Sequence, residues 1–179
     1  MRLFLAVDLP KEVKGQLDLQ LKDIKKKYPQ FTWVAAENFH VTIHFFGEVK
    51  ETEKIKRKLK DLLWDQRGFS LYSFNLDVFV NHKLVVYLNF RREKRIEELA
   101  EIIKSNFDIN SVNGRKFIPH LTLARGKKSS KQQYFVLKKR LQKLNVDISF
   151  SVKRLILFES ILEGRKPLYK KIASFNLLD

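Results

Sequence analysis

Residues 2–7, RLFLAV, form a nearly continuous apolar run, the pattern of a strand buried on both faces. Pro10 then opens a segment in which Val13, Leu17, Leu21 and Ile24 recur at helical spacing. The same order returns about eighty residues later, where LVVYLNF reads as a strand and Ile96, Leu99, Ile103 and Phe107 mark one face of a helix. A further helix is predicted over 52–64, with Ile55, Leu59 and Leu62 or Leu63 inward, and strand-like sequence follows at 69–80. Its counterpart spans 130–144, with Tyr134, Leu137, Leu141 and Leu144 inward, and leads into the strand SVKRLILFE at 151–159.

Between these elements lie two related segments, HVTIHFFG at 40–47 and HLTLARG at 120–126. With four histidines and four threonines in 179 residues, independent scatter predicts only about 0.09 occurrences of His-x-Thr. Each half therefore reads strand, helix, His-x-Thr strand, helix, strand. A repeat of this length, present twice, predicts an internally duplicated domain with approximate two-fold symmetry rather than a solenoid. The halves are 1–80 and 81–160, and residues 161–179 add a hairpin arm whose turn is expected at EGRKP. No Pro/Gly/Ser-rich linker separates them, so one compact bilobed domain is expected.

Charge narrows the partners. Lys and Arg number 36 against 20 Asp and Glu, a formal net charge of +16, which favours a polyanionic ligand such as RNA, DNA or anionic lipid. A lysine run such as KDIKKK at 22–27 is, by itself, a solvated helix face. The absence of cysteine excludes disulfides, thiolate metal sites and cysteine nucleophiles. The apolar stretch at 3–7 is too short for a signal-peptide core, and no run approaches a membrane span, so a soluble cytoplasmic protein is expected.

On a strand, His40 and Thr42 point the same way, as do His120 and Thr122, so each motif presents an imidazole beside a hydroxyl. Two imidazoles across a cleft suit in-line phosphoryl transfer, one as base to the incoming oxygen and one as acid to the departing oxygen. The threonine hydroxyls would donate to non-bridging phosphate oxygens. A metal site is the competing chemistry, since strict alternation gives His40 and His44 a common face and His82 and His120 complete a set of four. Residues four apart on a strand are roughly 13 Å apart, too far for one ion, and neither motif contains an acid, so no metal is expected. His44 and His82 are then surface or supporting residues.

The flanks carry a resemblance. MRLFLAVDLP, WVAAENFHVTIHFFGEV from Trp33, FIPHLTLARG from Phe117 and the closing LILFESILEGRKPLYKKIASFNL resemble the 2H phosphoesterases, in particular the RNA 2′,3′-cyclic phosphodiesterases once called 2′-5′ RNA ligases. The resemblance implies a bilobed α+β fold, with two antiparallel sheets lining a central groove and helices outside. It implies hydrolysis of RNA 2′,3′-cyclic phosphate ends to 2′-phosphomonoesters by a monomer, without metal or cofactor. His40 is then the acid on the departing 3′ oxygen and His120 the base on water; Phe45 and Arg125, five residues after each histidine, would flank the terminal nucleotide. Strict alternation turns both away from the histidine face, so they reach it only if the strand twists, bulges or ends there. Two alternatives stay open: ligation through a 2′-5′ linkage as the relevant direction, and a non-catalytic RNA- or nucleotide-binding module. The family usually has Leu where Phe46 stands and varies at His44, which bears on nucleobase preference.

Overall fold

In a computed structural model of the chain, residues 1–107, 116–163 and 166–179 are described. The apolar run becomes β1 (Arg2–Asp8), and Leu3 to Val7 are all buried, as its two-faced apolar pattern requires. Next comes α1 (Lys11–Lys27), entered through Pro10, with Val13, Leu17, Leu21 and Ile24 inward and three lysines in its last turn, where they complement the helix dipole. A two-residue strand, β2 (Thr32–Trp33), and a single 3₁₀ turn at Ala36–Asn38 lead into β3 (His40–Glu48). Then follow α2 (Thr52–Leu63), β4 (Phe69–Asn81), β5 (Lys83–Phe90), α3 (Lys94–Phe107) and β6 (His120–Gly126). The chain closes with α4 (Lys131–Gln142), β7 (Ser149–Val152), β8 (Arg154–Glu163) and β9 (Lys166–Asn176). A capping box between Ser130 and Gln133 satisfies the first amides of α4.

The fold is α+β, and every ladder between these strands is antiparallel. In place of two separate sheets, hydrogen bonding follows one path, β7-β4-β5-β6-β3-β1-β8-β9, with β2 beside β6. Its two arms meet between β3 and β6 through one register pair, Val41↔Leu121.

One face of the sheet and helices α1, α2, α3 and α4 share the main core, which runs from Leu3, Leu5, Val41, Leu88 and Leu121 to Leu17, Leu59, Ile96 and Leu141. On the other face Phe4, Ala6, Ile156 and Phe158 form a small separate cluster against Tyr169. A groove of the kind the resemblance implies would therefore lie on the face opposite the main core.

Two details differ from the sequence reading. The strand expected at 151–159 is two strands that change partners at Lys153: β7 pairs with β4, whereas β8 pairs with β1 and β9. Buried Phe150 and Val152 are followed by buried Leu155 and Leu157, so the inward phase slips by one residue at that point. The terminal arm also begins earlier than 161, because the whole β8–β9 hairpin is built into the sheet. The turn expected at EGRKP falls, at Gly164 and Arg165, outside the described residues. Among the described residues no helix is long and apolar enough to cross a membrane.

Candidate active site

The junction between the arms places the two motifs. In an antiparallel ladder, the residues flanking Val41↔Leu121 oppose one another crosswise, His40 with Thr122 and Thr42 with His120. Ladder geometry makes the two histidines diagonal neighbours, about 7–8 Å apart at the backbone. All four residues are half-buried, on the face away from buried Val41 and Leu121.

Both imidazoles are held in the same way. His40 Nδ1 lies 2.6 Å from the Asn38 carbonyl oxygen, and His120 Nδ1 lies 2.8 Å from that of Ile118. A carbonyl only accepts, so each Nδ1 carries the hydrogen and donates it, which leaves Nε2 as the nitrogen that exchanges protons. The ring walls differ. His40 sits among Phe4 at 5.0 Å and Tyr169 at 5.1 Å between centroids, His120 between Tyr87 at 5.5 Å and Phe79 at 5.8 Å.

A shared bulge decides where the following residues point. In β1–β3, Leu5 pairs with His44 and Ala6 with Thr42, so Ile43 is extra; in β5–β6, Val86 pairs with Ala124 and Tyr87 with Thr122, so Leu123 is extra. These are the positions three after each histidine. Both extra side chains are buried in the main core, and the strands resume with the opposite phase. Phe45 consequently pairs with Phe4, and Arg125 with Val85, on the histidine face. Phe45 is 68% exposed, its ring 5.8 Å from that of Phe4. The same phase change sends His44 to the buried face, where its ring meets Phe46 at 4.8 Å and Phe107 at 6.2 Å. His40 and His44 thus do not share a face, which removes the premise of the competing metal site, and His44 is a core residue rather than a surface one. His82 is exposed, at positive φ in the turn between β4 and β5.

Charge around the two histidines is unequal. Asp8, the register partner of His40, is bracketed by Lys14 and Lys171, each ammonium 2.7 Å from a different carboxylate oxygen. Burial pushes the Asp8 carboxyl up, but hydrogen bonds and charge from the two lysines outweigh it and hold the group below the ordinary carboxylate value. The equivalent partner of His120 is the neutral Asn89. The His40 imidazole is pushed below its ordinary value, first by burial and then by the charge of Lys14 and of His120, against an opposing hydrogen bond to Asn38 and the Asp8 charge. Beside His120, burial and the Asp77 carboxylate push the Tyr87 hydroxyl up to about 12, so it stays protonated.

Sequence reasoning missed Asp8, Lys14, Lys171, Tyr169 and Tyr87. Tyr169 stands on the hairpin close enough to Arg125 and Arg2 for both charges to oppose the upward push of burial on its hydroxyl. The tip of that hairpin is tied back to His40, since Asn38 Nδ2 donates to the Pro167 carbonyl at 3.2 Å while the Asn38 carbonyl holds the imidazole. The available signals were an acid ending a fully buried strand and a Tyr-x-Lys pair on one face of the returning strand.

The chain is similar to known proteins along nearly its whole length. An RNA 2′,3′-cyclic phosphodiesterase of Thermotoga maritima is 32% identical over 181 residues, covering 95% of this chain and 92% of that protein. One from Methanocaldococcus jannaschii is 31% identical over 175 residues, covering 96% and 98%. Among solved structures, Escherichia coli LigT complexed with 3′-AMP superposes with a TM-score of 0.80 at 26% identity, covering 99% of this chain and 98% of that one. The model of the 2′-5′ RNA ligase superfamily matches residues 13–161. The chain belongs to the 2′-5′ RNA ligase superfamily.

Proposed function

We propose that this protein hydrolyses 2′,3′-cyclic phosphate ends of RNA to 2′-phosphomonoesters, by paired-histidine acid–base catalysis that needs no metal. The observation that carries the reading is the register pair Val41↔Leu121, which sets the two His-x-Thr motifs side by side, with both Nδ1 atoms tethered so that both Nε2 atoms are free to exchange protons. His120 takes a proton from water, whose oxygen attacks phosphorus. The bond from phosphorus to the 3′ oxygen breaks, and His40 delivers its Nε2 proton to that oxygen. Thr42 and Thr122 donate hydrogen bonds to the non-bridging oxygens as negative charge builds on them. Phe45 and Arg125 flank the terminal nucleotide through ring and guanidinium contacts.

The charge pattern supports this reading. The carboxylate nearest His40 is already held by two lysines, leaving the phosphate to be neutralised by cations and hydroxyl donors of the chain itself. A half-buried imidazole of lowered basicity gives up its proton readily, and an arriving phosphodiester anion favours its protonated form, so the acid is loaded as substrate binds. The matching bulges three residues after each histidine favour an internal duplication with one halving near residue 80. Every group in the scheme comes from one chain, so a monomer suffices.

The test is hydrolysis of an oligoribonucleotide ending in a 2′,3′-cyclic phosphate, in excess chelator, followed by identification of the product phosphate position. Wild type should form the 2′-phosphate, and His40→Ala and His120→Ala should each lower kcat by roughly 10² or more. An inactive wild type, dependence on a metal, or full activity in either variant would overturn the reading.

A further inference from the structure

Beyond the reacting groups, an open cavity of about 750 Å³ adjoins His40 but not His120. Its volume is within the roughly 300–1,000 Å³ typical of ligand sites. Five cationic side chains, Lys11, Lys14, Lys153, Arg154 and Lys171, line it against two carboxylates, Asp8 and Glu37. Lys14 and Lys171 are engaged with Asp8. The other three are exposed: Lys153 reaches only Asp179, at 3.9 Å, and among the described residues Lys11 and Arg154 have no ion pair. Phe158 and Tyr169 form an aromatic wall of this cavity beside the His40 imidazole, their ring centroids 6.4 Å and 5.1 Å from it.

We propose that this cavity binds the phosphates of the nucleotides preceding the cyclic end, so that the protein prefers oligonucleotides to mononucleotides. The inference rests on the proposed hydrolysis, because it uses the side from which the leaving oxygen departs. That 3′ oxygen stays on the terminal ribose, and His40 protonates it; the ribose, and the chain attached through its 5′ oxygen, therefore lie on the His40 side. Water enters from the His120 side, where the cavity does not extend. Spare cations at Lys11, Lys153 and Arg154 match a run of singly charged phosphodiesters, and the aromatic wall offers a stacking surface for the base between them.

The experiment compares kcat/KM for a nucleoside 2′,3′-cyclic phosphate and for a pentanucleotide ending in the same cyclic nucleotide, across a salt series. Wild type should favour the pentanucleotide by about ten-fold or more at low salt, and the Lys11→Ala/Lys153→Ala/Arg154→Ala variant should bring that ratio close to one. The slope of log kcat/KM against log salt for the pentanucleotide should become shallower by about 2, the expectation for three lost phosphate contacts on a single strand. A second variant, Lys22→Ala/Lys27→Ala/Lys139→Ala, removes three exposed charges outside the cavity and should keep most of the ratio. A wild-type ratio near one, an intact ratio in the first variant, or equal losses in both variants would overturn the proposal while hydrolysis of the nucleoside substrate upholds the reaction. Failure to turn over either substrate would overturn the reaction and this inference with it.

Discussion

At the scale of single residues, His40 is the group most shaped by its surroundings. Burial, Lys14 and His120 disfavour its charged form, so its pKa in the free protein should lie below 6.5. A group whose folded value is depressed contributes stability above its unfolded value: the His40 contribution is complete above about pH 6.5 and is lost as pH falls through the folded value. Asp8 has the same sign at lower pH, its contribution being complete above about 3.8 and lost as acid protonates it in the folded state. An NMR titration of the His40 ring should give a midpoint below 6.5 that rises when a nucleoside 2′-phosphate is added; a free-protein midpoint at or above 6.5 contradicts the environment described. The pH–rate profile should be bell-shaped, but its two limbs belong to the pair and do not say which imidazole is the acid. A substrate with sulfur in place of the 3′ oxygen does, since a thiolate leaves without protonation. It should restore much of the rate to His40→Ala and little to His120→Ala, and the opposite result would exchange the two roles.

At the scale of elements, the bulges do more than the strands. The helices, most strands and the two motifs were legible in the sequence because each leaves a local period of apolar residues. The bulges at Ile43 and Leu123 leave none, since both positions are apolar in either phase and the slip is defined only by the partner strand. The split at Lys153 did leave a phase slip, obscured by the apolar residues on both faces of β8. The Asp8–Lys171 pair joins β1 to β9 across nearly the whole chain, which no local pattern encodes. Because of the first bulge and a second at Phe46, adjacent phenylalanines have opposite surroundings: Phe45 is exposed in the groove, whereas Phe46 packs against Phe107 at 4.9 Å. Phe45→Ala should therefore raise KM while leaving the melting temperature nearly unchanged. Phe46→Ala should lower stability by about 2–4 kcal/mol in chemical denaturation. If the two effects were reversed, the bulged register would be wrong. Gly126, next to Arg125, is fixed by contact: a Cβ there would run into the buried Phe31 ring. Gly126→Ala should cost about 1–3 kcal/mol, because that ring cannot swing into solvent without opening the core.

At the scale of the whole molecule, the question is how a sheet with two arms keeps two histidines in register with each other. The arms share a core, yet β3 and β6 are joined by the single pair Val41↔Leu121, both fully buried, with Leu121 also opposite Leu88 on β5. His120 and Thr122 flank Leu121 directly, so a shift at this point moves both groups against His40 and Thr42. Leu121→Ala and Leu141→Ala form a matched comparison. Both leucines are buried in the main core, but Leu141 lies on α4, away from the junction. Each truncation should cost about 2–5 kcal/mol of stability. At a temperature where both variants are folded, Leu121→Ala should also lose kcat, by ten-fold or more, while Leu141→Ala should stay near wild type, because only the first opens space beneath His120 and Thr122. Equal kcat in the two variants would mean that the histidines are held by their backbone carbonyl tethers alone and that the junction serves only to close the sheet.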